Sequence, residues 1–419
     1  MSRFINTMMF LAAATAAGLA AYESPLSASP ACNESAGPIT YVNLPAHPFG
    51  VVTTPDGCWI FVTMIAPKIP GALSEVPGVQ SGIGVLSRLG GKITLVRMIP
   101  VKGVPGGMVL THDGKLLVVA NGTDVEFLDV SRAISGNGDP VVGVIVDHGI
   151  VNPQSIYVNV TADDHFLFVS NEFARSITVI DLKAARSSNF GANAIVGRIS
   201  TANLPIAVTI SPDQRFLYNT SERALESYGW PKACKPENED PVTAKIQNPE
   251  GAIIVVDVER AKTDPANSVL AIIPAGCSPV RLVLSPHGDR AYVTARNSNE
   301  LLVFDTAKLL TDPAHARIAT VPVGTAPVGV ALFEGGAKLF VANSNRFFRI
   351  PPDQQQLSVI DAAKTSAGAR AVLGTIPAGS FPRELRVTDD GRTLLVTNFN
   401  SDTLELVDLD RLPLRSSGQ

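Results

Sequence analysis

No CxxC pair and no cluster of cysteine with histidine occurs among the 419 residues, so a structural zinc site is not expected. The six histidines never fall at a metal-ligand spacing, and no haem-attachment motif or copper-ligand set is present. No metal and no cofactor is therefore predicted. Charge is sparse, at 17% of residues, and the net value is −4. No block of lysine and arginine exists, which argues against nucleic acid as a partner. Ser81-Gly82-Ile83-Gly84 reads as the start of a strand, with no phosphate loop or helix behind it. The longest apolar run, Met8 to Ala21, is fourteen residues and falls short of the roughly 20 that span a bilayer.

That run follows Arg3 and ends in small residues (Gly18-Leu19-Ala20), the pattern of an export signal. The expected organisation is a signal at 1–21, a leader with Cys32 at 22–38, a folded unit at 39–411 and a tail at 412–419. The mature protein is then secreted or periplasmic, with no membrane insertion after cleavage. Asn33, Asn121, Asn159 and Asn219 match the N-glycosylation pattern, which matters only on a eukaryotic secretory route.

What the chain does have is a repeat. Seven prolines (48, 105, 153, 205, 279, 327 and 382) each open an alternating apolar stretch, a polar turn and a second apolar run. Ser278 to Asn297 (SPVRLVLSPHGDRAYVTARN) and Phe381 to Asn398 (FPRELRVTDDGRTLLVTN) are the clearest copies. Their spacings are 57, 48, 52, 74, 48 and 55 residues, so the fourth unit carries an insertion. Each unit holds four short strand patterns separated by turns, as in Val280 to Leu284, Ala291 to Ala295, Leu301 to Asp305 and Ile318 to Val321. This predicts an all-β, seven-bladed β-propeller of four-stranded antiparallel blades. A proline opening an inner strand loses no ladder bond. The seventh unit runs out after its third strand (LELVDL, 404–409), and 39–44 (ITYVNL) is placed to supply the fourth. The N-terminal strand would thus complete the last blade and close the ring, leaving no open sheet edge.

Calling the face where inner strands begin the top gives every loop a side. Cys32 and Cys58 fall at the bottom, Cys234 and Cys277 at the top. Of the three possible connectivities, only Cys32–Cys58 with Cys234–Cys277 keeps both partners on one face. Four free thiols are the rival reading.

Tyr292-Val293-Thr294, the Ser211-Pro212-Asp213 turn and third strands such as Ser176 to Asp181 (SITVID) and Leu357 to Asp361 (LSVID) resemble the YVTN-type repeat β-propellers. These are similar to surface-layer and periplasmic propellers and to the lactonase-like propeller superfamily. The resemblance covers about residues 39–411 and departs from consensus mainly in bottom turns, as at His112-Asp113-Gly114, Asp163-Asp164-His165 and Glu334-Gly335-Gly336. It implies the fold and carries over no catalytic motif.

Function is expected where the repeat is broken. The long loops 66–81, 221–250 and 343–356 all lie at the top, and Phe347-Phe348 in the last could anchor a partner. Polar residues that vary between units collect there too: Gln154, Arg281, Arg383 and Glu384 on inner strands, with Glu172, Glu222, Arg223, Arg296 and Arg346 at second-strand ends. Five arginines against three glutamates suit an anionic small molecule or an acidic protein segment. The bland alternative is that these arginines pair with the glutamates and brace the blades. The favoured reading is an exported, monomeric binding scaffold with no chemistry of its own. The alternative is a lactonase-like hydrolase in which His47, Glu172 or Glu222 activates water on a sugar lactone.

Overall fold

The computed structural model describes residues 32, 34, 36–69, 74–236, 246–346, 351, 355–412 and 414–415. The export signal, most of the leader and Phe347-Phe348 lie outside them. Seven four-stranded antiparallel sheets stand in a ring, each with its strands in the order inner to outer. The inner strands are His47–Thr53, Met108–Leu110, Ser155–Val160, Asn203–Ile210, Pro279–Leu284, Pro327–Phe333 and Pro382–Val387. Ile39–Asn43 pairs with Thr403–Asp408 as the outer strand of blade seven, in register from Ile39↔Val407 to Asn43↔Thr403. Closure by the N-terminal strand is therefore observed. Both expected disulfides are present, with Cα–Cα distances of 4.8 Å for Cys32–Cys58 and 5.4 Å for Cys234–Cys277. Among the described residues no helix is long and apolar enough to cross a membrane.

One proline is out of register. In blades four to seven the inner-strand proline faces the end of the second strand, as in Pro279↔Ala295 and Pro382↔Asn398. In blade three that place belongs to Ser155, opposite Asn171, and Pro153 comes two residues early. The Ser155 N–H donates to the Gly122 carbonyl of blade two at 2.6 Å. A proline there would have no N–H to give.

Local chemistry explains the repeated letters. In the bottom turns a Ser or Thr hydroxyl donates to the Asp two residues on, and that Asp caps backbone N–H groups of the turn. Third strands end in Asp because Asp129, Asp181 and Asp257 each cap the first turn of the short helix that follows. Those helical turns pack against the preceding blade. Phe190 fills the space over Gly143, where a Cβ would meet its ring at 2.1 Å.

The hydroxyl near the end of the second strand joins neighbouring blades. Thr63, Ser170, Thr220, Thr294 and Thr397 each donate to an inner-strand carbonyl of the next blade. Thr397 serves the closure, accepting from the Glu384 N–H at 3.1 Å and donating to the Phe49 carbonyl at 2.9 Å. Thr397→Val should therefore leave two buried backbone groups unpaired and cost about 2 kcal/mol in urea unfolding. The same change at an exposed threonine such as Thr123 should shift the midpoint little. Between blades the core is apolar, with Phe61, Phe127, Phe168, Phe304 and Phe340 fully buried.

Candidate functional site

The site begins with two successive positions on each inner strand. The first carries Phe49, Gly106, Ile156, Ile206, Val280, Val328 and Arg383 in blades one to seven. Phe49, Ile156, Ile206, Val280 and Val328 form one apolar cluster with Phe381 around the channel. Blade seven thus puts an arginine where most blades put a hydrocarbon. The Arg383 guanidinium lies 3.8 Å from the Phe49 ring centroid and 5.5 Å from those of Phe381 and Phe399. Its Nε is buried without a hydrogen-bond partner among the described residues. Burial, followed by the charges of Arg281 and Arg296, pushes its pKa down to about 9, against the pull of Glu172 and Glu384.

The second position carries Gly50, Gly107, Tyr157, Ala207, Arg281, Gly329 and Glu384. Three of these meet across the channel. Arg281 Nη2 lies 2.9 Å from Glu384 Oε2, Arg281 Nε 3.3 Å from the same oxygen, and the Tyr157 hydroxyl donates to it at 3.0 Å. The guanidinium also covers the Tyr157 ring at 3.9 Å. Burial lowers the Arg281 pKa, and Glu384 opposes that shift. This bar forms the inner end of a cavity of about 420 Å³ that runs along the inner strands to the bottom turn at Ser211 and Pro212.

The second-strand ends supply the rest of the mouth. Arg296 pairs with Glu222 at 2.8 Å, both nearly buried. The Glu172 amide donates to the Gln154 carbonyl at 3.0 Å, and Gln154 takes a left-handed φ of +50°. Burial, then the charge of Glu222, raises the Glu172 pKa to about 7, with Arg383, Arg296 and Arg346 opposing. Glu172, Glu222, Arg296, Arg346 and Arg383 therefore share one electrostatic neighbourhood. Arg223 is exposed and donates to Asn248 at 3.3 Å, beside the Cys234 disulfide. His47 is held by Asp402 at 2.6 Å and stacks on Phe399 with centroids 4.7 Å apart. No group of three His, Cys, Asp or Glu is arranged to hold a metal among the described residues.

The sequence reading overlooked Tyr157, Phe49, Phe381 and Phe399, which shape the channel. A signal existed: Phe381 stands before the blade-seven proline where blades five and six have Ser278 and Ala326.

A channel of this kind, ringed by seven four-stranded sheets and closed by an N-terminal strand, defines a seven-bladed β-propeller. Residues 250–412, less than half of the chain, match the family model described as Lactonase, 7-bladed beta-propeller. No curated protein matches the sequence. Among solved structures, a chain of the Kuenenia stuttgartiensis hydrazine synthase is similar at TM-score 0.61 and 17% identity, covering 88% of this chain and 96% of that one. A chain of a mitotic checkpoint complex gives 0.61 and 12%, covering 92% and 97%. Virginiamycin B lyase from Staphylococcus aureus gives 0.58 and 11%, covering 88% and 99%. At these identities the likeness is one of fold alone.

Proposed function

We propose that the protein is an exported, monomeric propeller that binds a small anion or an acidic protein segment at its top mouth, with Arg383 as the anchor. The supporting observation is the contrast among its arginines. Arg281 and Arg296 already sit on carboxylates, whereas the half-buried Arg383 lies among aromatic rings and, among the described residues, has no carboxylate in contact and an unpaired Nε. Arg383 is half-buried, so its charge has lost part of its hydration without gaining a counter-ion, and an incoming anion would relieve that cost. Two disulfides are compatible with an extracellular or periplasmic location.

Calorimetry with small anions tests this reading. Arg383→Met should abolish the heat of binding while leaving unfolding within about 1 kcal/mol of wild type, because a half-buried charge without a carboxylate contact among the described residues is exchanged for an apolar chain of similar length. Strong destabilisation with anion binding intact would overturn it.

A second reading has one specific support. Glu172, raised to about 7 beside Glu222, has the proton affinity of a general base for neutral pH, and residues 250–412 match a lactonase model. In that reading Glu172 takes a proton from water as the water attacks a sugar lactone carbonyl, and the tetrahedral adduct then collapses with cleavage of the ring C–O bond while Glu172 returns the proton to the leaving ring oxygen, giving the hydroxy acid. The prediction is hydrolysis above the spontaneous rate that vanishes in Glu172→Gln. Binding heat without product formation favours the scaffold.

A further inference from the structure

The channel has a second end. Beneath the bar of Tyr157, Arg281 and Glu384, the cavity of about 420 Å³ runs to the bottom face, and its lining includes Arg281 and Glu384 but not Arg383. Its inner end is held firmly. The Tyr157 ring packs against the Arg281 guanidinium, 3.9 Å from its centroid, and against Gly107, where a Cβ would meet ring carbons at 2.3 Å. Gly107 thus makes room for the ring. Glu384 Oε2 takes hydrogen bonds from the Tyr157 hydroxyl and from Nε and Nη2 of Arg281. Glu384 Oε1 and Arg281 Nη1 make none among the described residues, although both residues line the cavity.

From the bar outward the wall is mostly hydrocarbon, with Val52, Val109, Ile210, Val283 and Leu284. The polar side chains between them are engaged by the fold. Asn159 donates to the Val208 carbonyl and accepts from the Val160 N–H, and Thr209 donates to the Leu282 carbonyl. Gln214 accepts from the Ala162 N–H and donates to the Ser211 carbonyl. Arg386 is different. It lines the cavity, is exposed, and makes no hydrogen bond or ion pair among the described residues. It stands two residues beyond Glu384 in a regular stretch of the same strand, so the two side chains leave the same face.

We propose that this bottom cavity binds a monocarboxylate with an apolar body and a hydroxyl at its far end. The hydroxyl belongs at the bar, because it can donate to Glu384 Oε1 and accept from Arg281 Nη1 at once. An ammonium there would face the guanidinium, and a carboxylate would face Glu384. The apolar body follows from the wall, against which a polyol would give up water for hydrocarbon. The single negative charge follows from the cations on the lining: Arg281 is matched by Glu384, which leaves Arg386 to hold the carboxylate. Two residues of strand, about 7 Å, separate the two anchoring positions, a span that a phenyl ring with a short side chain bridges. The site is separate from the anion site at the top mouth and does not depend on it.

The test is calorimetry at neutral pH with three probes: phloretate, hydrocinnamate, which lacks its hydroxyl, and tyrosol, which carries an alcohol in place of its carboxylate. Phloretate should bind wild type about tenfold more tightly than either of the others. Arg386→Gln, a change at an exposed position, should weaken phloretate to the level of tyrosol and leave tyrosol unchanged. Hydrocinnamate binding as tightly as phloretate would overturn the role given to the bar, and equal losses for phloretate and tyrosol in Arg386→Gln would overturn that of Arg386. A loss of phloretate in Arg383→Met as large as in Arg386→Gln would move the acid to the top mouth, so that this inference falls while the reading of that mouth stands. If none of the three binds, the inference fails, and phosphate binding that requires Arg383 shows separately whether the top-mouth reading holds.

Discussion

Arg281→Met should destabilise the ring by about 3 kcal/mol, the lower end of the cost of breaking a buried ion pair. The lower end applies because the Arg281 side chain is 9% exposed whereas Glu384 is 22% exposed and partly solvated. The cost arises from what remains. Glu384 keeps the Tyr157 hydroxyl and loses both guanidinium contacts, and with them its counter-charge inside the channel. The double variant Arg281→Met/Glu384→Gln removes the stranded charge and should recover most of the loss, giving a coupling energy of about 2 kcal/mol in a double-mutant cycle. Anion binding at the mouth should survive in the double variant, since Arg383 is untouched. A single variant as stable as wild type would mean that the bar across the channel does not hold blades three, five and seven together. The bracing role weighed from sequence would then have to be sought at Arg296–Glu222 alone.

Much of the architecture was legible because a repeat constrains each loop twice, once by its own residues and once by its place in the unit. Position in the repeat sent Cys32 and Cys58 to one face, and the 39–44 segment found its sheet because blade seven lacked a strand. Pro153 misled for a local reason, the N–H that Ser155 gives to blade two. The site was half legible. That Arg281, Glu384, Arg296 and Glu222 stand at the mouth follows from counting residues along a strand. That they pair as Arg281–Glu384 and Arg296–Glu222, across 103 and 74 residues, depends on side-chain direction at irregular points of the inner ladders. A one-residue slip there would reverse it. The aromatic collar went unread because a phenylalanine on an inner strand is ordinary core until an arginine is found beside it.

Glu405 should make the ring less stable as pH rises from about 5 to about 8, opposite to the usual carboxylate. It is the third residue of the third strand of blade seven, fully buried, and directly opposite Tyr41 of the closing strand. Oε2 accepts from Asn398 Nδ2 at 2.9 Å and from the Gly379 N–H at 3.3 Å, while Oε1 has no partner among the described residues. Burial raises its pKa from 4.5 to about 7, and those two hydrogen bonds only partly offset it. The folded state thus binds the proton more tightly than the unfolded chain. Its contribution is fully present below the unfolded value of 4.5 and is lost as pH rises through 7. The shift corresponds to about 3 kcal/mol, concentrated where the closing strand meets blade seven. Glu126, at the same position of blade two, is likewise raised to about 7 by burial and then by Asp124, so it adds to the slope. The turn aspartates Asp113, Asp163 and Asp213 do not mask it. Their pKa values lie below 3.8, so their stabilisation is constant above about pH 5 and is lost only in acid. Glu405→Gln, an isostere of the protonated acid, should match wild type near pH 4.5 and exceed it by up to about 3 kcal/mol at pH 8. Urea midpoints measured across that range decide the matter. A wild-type curve that is flat or rising between pH 6 and 8, or a glutamine variant with an undiminished slope, would show that the closing strand does not sit on a buried titrating carboxyl.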